Sequence, residues 1–134
     1  MPVARVTPPP QPICRSGALS EAGRGVRFQV LWRGETCPAF VVRHQFMVYA
    51  YLNRCAHRRL ELDWLPCHYF DAAGEYLICA AHGARYFPAT GLCAGGPCGG
   101  GRLVALPVAE AQGLVVLQPK DKLHLVSVET IRNT

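Results

Sequence analysis

Apolar and polar residues alternate in short stretches broken by glycine and proline, a pattern of strands joined by tight turns rather than of long helices. Val26 to Trp32 alternates for most of its length, as a half-buried strand does. Cys37 to Arg43 and Phe46 to Leu52 are rich in Val, Phe and Tyr and predict two further strands. Ile13-Cys14 opens a first strand, and Tyr76-Leu77-Ile78, Tyr86-Phe87, Leu103 to Val108 and Gly113 to Leu117 continue the series. Leu123 to Val128 alternates enough to be an extra strand, or an arm against a neighbouring subunit. Ser16 to Gly25 and Gly34-Glu35 read as turns. Leu60 to Trp64 is short and mixed, one helical turn or an irregular strand, and Leu65 to Gly74 is a loop or hairpin. Trp32, Phe40, Phe46 and Tyr49 are the expected aromatic core. The fold class is therefore all-β.

Composition narrows the class. At 134 residues, half of them hydrophobic and 17% charged, the chain is one globular domain. The formal charge is +5, but the arginines are scattered singly except for Arg58-Arg59, so no basic stripe argues for nucleic acid. No apolar run is long enough to cross a membrane as a helix. Met1 to Pro12 carries Pro8-Pro9-Pro10 and lacks the apolar stretch of an export signal, so it reads as an extended or disordered lead. The expected location is the cytoplasm, where leftover thiols stay reduced.

The chemistry sits in two short motifs. Cys55-Ala56-His57 and Cys79-Ala80-Ala81-His82 each bring one thiolate and one imidazole, and twenty-one residues separate His57 from Cys79. Those groups bind iron or zinc well, and four of them complete a site. A zinc finger groups its two cysteines before its two histidines. Here each loop brings one of each. A single metal ion accepts that arrangement, and an asymmetric two-iron cluster suits it better. Cys67-His68, inside the spacer, is not a metal pair, since adjacent residues in an extended chain point apart. His44 and His124 lack partners at ligand spacing. Ala94 to Gly101 holds five glycines and a proline, so its backbone can approach another group closely. Cys93 and Cys98 flank or break that run; they read best as small apolar fillers, ahead of a disulfide formed under oxidation or an accessory thiol.

With Gly83 after the second motif, these residues resemble the signature of Rieske [2Fe-2S] proteins, in which two Cys hold one iron and two His the other. The resemblance continues through Tyr86-Phe87, Thr90-Gly91, Gly96-Pro97 and Leu103 to Val108. It implies antiparallel sheets with a small cluster-binding subdomain formed by two loops, and it assigns Cys55, His57, Cys79 and His82 as ligands. It further implies a proline loop, at Gly96-Pro97, over the cluster. On this reading residues 1–12 are the lead, 13–118 the Rieske domain and 119–134 a C-terminal extension. The spacer is longer than the family's usual one. High-potential members carry an extra Cys in each cluster loop and a Ser just after the Gly of the second motif; this chain has neither extra Cys and has Ala84 instead. Tyr86 matches the family's tyrosine.

The resemblance therefore implies a ferredoxin-type protein of low-to-middle potential, passing single electrons from a reductase to an oxygenase or other acceptor, with no substrate chemistry of its own. Arg54, Arg58, Arg59 and Arg85 flank the motifs, where they can steer an acidic partner surface toward the histidines. Two alternatives stay open: a small Rieske subunit or regulatory module, like the small subunit of nitrite reductase, and a zinc-binding structural module.

Overall fold

A computed structural model of the chain describes residues 8–56, 60–63, 65–120 and 122–129. Among them there is no α-helix, only a single 3-10 turn at Ser16–Ala18 and eleven strands. These are β1 (Gln11–Arg15), β2 (Val26–Trp32), β3 (Glu35–His44), β4 (Met47–Leu52), β5 (Leu77–Ile78), β6 (Arg85–Tyr86), β7 (Cys93–Gly95), β8 (Ala105–Leu106), β9 (Val108–Ala111), β10 (Leu114–Leu117) and β11 (Leu123–Val128). They form three sheets, ordered β1-β10-β9, β11-β2-β3-β4-β8 and β5-β6-β7. Every strand pair is antiparallel. The all-β expectation holds.

The central five-stranded sheet is covered on both faces, and β3 shows why. Its run Ala39-Phe40-Val41-Val42 is buried at every position. Successive side chains leave a strand on opposite faces. Cys37, Ala39 and Val41 accordingly join one core with Phe28, Val30, Leu52, Val115 and Leu117. Phe40 and Val42 join a second core with Tyr51, Tyr69, Leu77 and Tyr86. On β4, Val48, Ala50 and Leu52 face the first core, while Tyr49 and Tyr51 face the second. The first core is a sandwich with the β1-β10-β9 sheet, and the second packs the small β5-β6-β7 sheet and both motif loops against the central sheet. We call them the base and the tip.

Two-residue hairpin turns set the register of the base. Arg33-Gly34, Gln45-Phe46 and Gln112-Gly113 all have positive φ at both positions, the backbone that matches strand twist. Glycine normally makes such turns easy, yet Gln45-Phe46 has none. Phe46, at φ 70°, is 85% exposed, so its expected place in the core is wrong: the turn throws it into solvent. The Glu21 carboxylate holds the turn by accepting from the Gln45 and Phe46 amides. Trp32 and Tyr49 pack at the margins of the two cores, and Phe40 is wholly buried.

Leu123–Val128 is an added edge strand, paired with β2 across a bulge between Leu125 and Ser127. That places it within this chain's own sheet rather than as an arm against another subunit. Leu60 to Asp63 forms neither a helix turn nor a strand; Trp64 lies outside the described residues.

Candidate metal centre

The first motif loop leaves the central sheet and the second leaves the small sheet of the tip. Cys55 follows β4 and Cys79 follows β5, and both sulfurs lie in the second core. Burial raises the Cys79 thiol above its ordinary range, and a hydrogen bond with Cys55 raises it further; the Ala81 and His82 amides, donating to the same sulfur, act in the opposite direction. Both cysteines are buried in the same core. The Tyr86 hydroxyl stands 3.2 Å from Cys55 Sγ and accepts the Ala56 amide at 2.9 Å. With the amide hydrogen directed at its oxygen, the hydroxyl's own hydrogen is available to the sulfur. Burial first, and then this bond to Cys55, raise the Tyr86 pKa.

The second loop is a tight turn. His82 and Gly83 amides donate to the Cys79 carbonyl at 3.2 and 2.8 Å, and the Cys79 amide donates to the Ala84 carbonyl at 2.8 Å. Gly83 closes it at φ 72°. His82 is half-buried as a residue, and its Nδ1 is shut off from solvent. His57, with Arg58 and Arg59, lies outside the described residues. Among the described residues no three of His, Cys, Asp and Glu converge on a single ion. A two-iron cluster needs no such triad, because it divides its ligands two and two.

The first loop is fastened by a polar cluster that sequence reading missed. Asn53, fully buried, accepts the Leu62 amide at 2.8 Å and donates to Asp63 at 2.9 Å. The other Asp63 oxygen accepts the Cys67 amide at 2.9 Å and Arg27 at 3.1 Å. Burial alone would lower the Arg27 pKa, but Asp63 and Glu61 together hold it above its usual value. Across the spacer, the Ala80 amide donates to the Leu62 carbonyl at 3.0 Å, which ties the second loop to the same cluster. The available signal was a lone Asn two residues before the first motif and a lone Asp among apolar residues of the spacer. The lengthened spacer is thereby anchored by a buried carboxylate, and Cys67 contributes its backbone amide, a carbonyl that accepts the Gly25 amide at 2.8 Å, and a buried thiol.

The glycine-rich segment covers both loops. A Cβ on Gly96 would lie 2.8 Å from the Gly83 carbonyl oxygen and 3.1 Å from Ala84 Cα. One on Gly101 would lie 2.9 Å from Ala56 Cβ. The expected close approach is there, and it needs glycine at those two points. Cys93 and Cys98, read from sequence as fillers, are instead joined by a disulfide that closes the segment on itself. A ring this short contributes about 2 kcal/mol in the chain-entropy account.

Of the flanking arginines, Arg85 is exposed. Arg54 turns back, donating to Cys37 Sγ at 3.1 Å with Glu35 3.7 Å away. His68 and His124 are exposed strand or loop residues, and the His44 ring stacks on Phe70.

Two cysteines buried in one core, a hydroxyl 3.2 Å from the Cys55 sulfur and a half-buried histidine are the part of a Rieske donor set that the described residues hold. Comparison with known proteins agrees. No curated protein sequence matches the chain significantly. Among solved structures, the ferredoxin of carbazole 1,9a-dioxygenase from Nocardioides aromaticivorans IC177 is 26% identical, with a TM-score of 0.67, covering 84% of this chain and 100% of that one. A ferredoxin of Sphingomonas yanoikuyae B1, 20% identical, shares the fold at a TM-score of 0.64 over 84% of this chain and 100% of that one. The terminal oxygenase of the Nocardioides system, 24% identical, shares it at 0.65 over 82% of this chain, which spans 30% of that oxygenase. The family model of the Rieske [2Fe-2S] domain matches residues 10–119. With that match over most of its length, the chain belongs to the Rieske [2Fe-2S] family and carries its two-iron cluster.

Proposed function

We propose that this protein is a single-electron carrier whose cluster is held by Cys55 and Cys79 on the inner iron and by His57 and His82 on the outer one. The observation that carries the assignment is the burial of Cys55 and Cys79 in one core, with the Tyr86 hydroxyl 3.2 Å from the Cys55 sulfur. When bound, the cluster supplies reversible one-electron storage at a potential above that of all-thiolate clusters. The chain's residues do the rest. Tyr86, donating to the Cys55 sulfur, offsets the negative charge added on reduction. The second core keeps water from the thiolate side. His82, half-buried, gives the electron its way out at the surface.

The carbazole 1,9a-dioxygenase ferredoxin named above serves an oxygenase, and a ferredoxin–oxygenase complex of a carbazole 1,9a-dioxygenase is known. By that likeness the present chain passes electrons from a reductase to an oxygenase or similar acceptor. Exposed Arg85 beside the second loop favours a partner with an acidic docking surface. No helix among the described residues is long and apolar enough to cross a membrane. We place the protein in the cytoplasm.

Anaerobically purified protein should be red-brown, with two irons and two acid-labile sulfides per chain, as its family's cluster requires. It should take up one electron and yield it to an oxygenase. A colourless protein, or one holding zinc, overturns the reading.

A further inference from the structure

The Cys93–Cys98 disulfide has no part in holding the cluster, yet it lies in the segment that rests on both metal loops. We propose that it is a thiol-exchange site, through which a cellular thiol such as glutathione sets how firmly residues 93–101 cover the cluster.

Three observations carry this. The bond is unequally accessible, since Cys93 is half-buried and Cys98 is 3% exposed. An incoming thiolate therefore attacks the Cys93 sulfur. The S–S bond breaks, a mixed disulfide forms at Cys93, and Cys98 leaves as a thiolate that takes up a proton. A second thiol then attacks the mixed disulfide, giving free Cys93 and the oxidised small-molecule disulfide. Two electrons and two protons have passed to the protein.

The dithiol form also has a place to go. The Gly95 and Arg85 carbonyl oxygens stand 3.2 and 3.5 Å from Cys98 Sγ, and the Gly95 carbonyl oxygen stands 3.7 Å from Cys93 Sγ. A reduced Cys98 therefore has acceptors for its S–H without leaving the core.

Finally, the bonded ring is the cover. Gly96, inside it, abuts Gly83 and Ala84 of the second loop, and Gly101, just beyond, abuts Ala56 of the first. Pairing with β6 holds Cys93 to Gly95, but beyond it the five glycines between Ala94 and Gly101 leave little besides the bond and the Cys93–Gly101 and Gly101–Cys98 backbone hydrogen bonds to hold that path. A dithiol/disulfide pair in a reducing compartment is characteristically a sensing or exchange pair rather than a permanent staple.

The exchange stands apart from the metal assignment, whereas its effect on the cluster rests on that assignment. The experiment therefore begins with holoprotein whose iron and sulfide content has been measured. It is equilibrated in glutathione buffers from oxidising to cytosol-like, with free thiols mapped by alkylation and iron loss followed with a colorimetric chelator. We expect Cys93 and Cys98 to become alkylated together in the cytosol-like buffer, and iron loss to be roughly tenfold faster there, as local loosening of a cover gives. Cys93→Ser/Cys98→Ser should lose iron at the fast rate in every buffer. A bond that persists in the cytosol-like buffer overturns the exchange site. Equal rates of iron loss from the parent's two forms overturn its control of the cover, whether or not the double variant folds.

Discussion

The base and the tip of this molecule are built on different terms. In the base, four- to ten-residue strands bury Phe28, Val30, Val41, Val115 and Leu117 completely, and apolar area removed from water accounts for its stability. In the tip, β5, β6 and β7 have two or three residues each. Strands so short cannot hold a sheet by themselves. The tip adds fixed polar bonds to its own buried core: the Asn53–Asp63–Arg27 cluster, the Tyr86–Cys55 contact, Tyr51 donating to the Pro88 carbonyl at 2.6 Å, and the Cys93–Cys98 bond. Tight apolar packing positions strands; discrete bonds position ligands.

The sharpest way to break that division is Asp63→Ala. It leaves the Asn53 side-chain amide and the Cys67 backbone amide without their acceptor in a buried site, while Arg27 keeps Glu61 and Glu129, at a cost of about 2–6 kcal/mol. Denaturant unfolding should show that loss, together with bleaching of the cluster absorbance. Leu117→Ala, in the base, costs about 2–5 kcal/mol as a cavity but should leave the cluster's spectrum unchanged in the folded protein. If both variants bleach alike, the two regions are one cooperative unit.

Tyr86→Phe tests a single bond of the tip. A hydrogen bond to a charged group is worth about 1.5–3 kcal/mol, and only its oxidised–reduced difference moves the potential. A difference of about 1–2 kcal/mol lowers a one-electron midpoint by roughly 40–90 mV. Film voltammetry reads it directly, and an unchanged midpoint would deny Tyr86 any part in setting the potential.

On the base side, Phe46→Gly should raise stability by about 1 kcal/mol, since a non-glycine residue in the left-handed region costs about that much. It should leave the potential where it was. A fall in stability on thermal melting would mean that the exposed Phe46 ring makes a contact worth more than the turn strain.

The smallest effect is electrostatic. Arg43 grips Glu110 with two bonds of 2.8 Å, and that hydrogen bonding, ahead of any other cause, lowers the Glu110 pKa to about 2. A carboxyl depressed on folding stabilises the native state above its unfolded pKa, and that contribution is lost as pH falls from about 4.5 toward about 2. For a part-exposed pair it amounts to no more than about 1 kcal/mol. Glu110→Gln should flatten that part of the stability profile; an identical profile would leave the ion pair without measurable weight.

The sequence disclosed the base strands and the two motif loops for physical reasons, and hid the rest for others. Alternation marks a strand with one wet face, so β2 was readable. The unbroken run on β3 gave a strand without saying that both faces were covered. Thiolate and imidazole spacing identified the motif loops because few other pairings use that order. Phe46 was misjudged because apolar character says nothing of a two-residue turn that reverses a side chain's direction. Asp63 was missed because a buried carboxylate looks like a surface one until its partners, thirty-six residues away at Arg27 and ten at Asn53, are brought to it. Cys93 and Cys98 were read as fillers because spacing alone does not say whether a glycine-rich segment folds back on itself.

In the proposed function two thiolates and two imidazoles share one cluster, and every functional role proposed for the tip depends on that sharing. Pulsed electron paramagnetic resonance on reduced protein labelled with ¹⁵N-histidine tests it most directly. Two strongly coupled histidine nitrogens are expected in the parent, and one or none, with loss of the signal's cluster form, in His57→Ala or His82→Ala. A cluster signal with no histidine coupling, or one unchanged in either variant, would contradict the assignment.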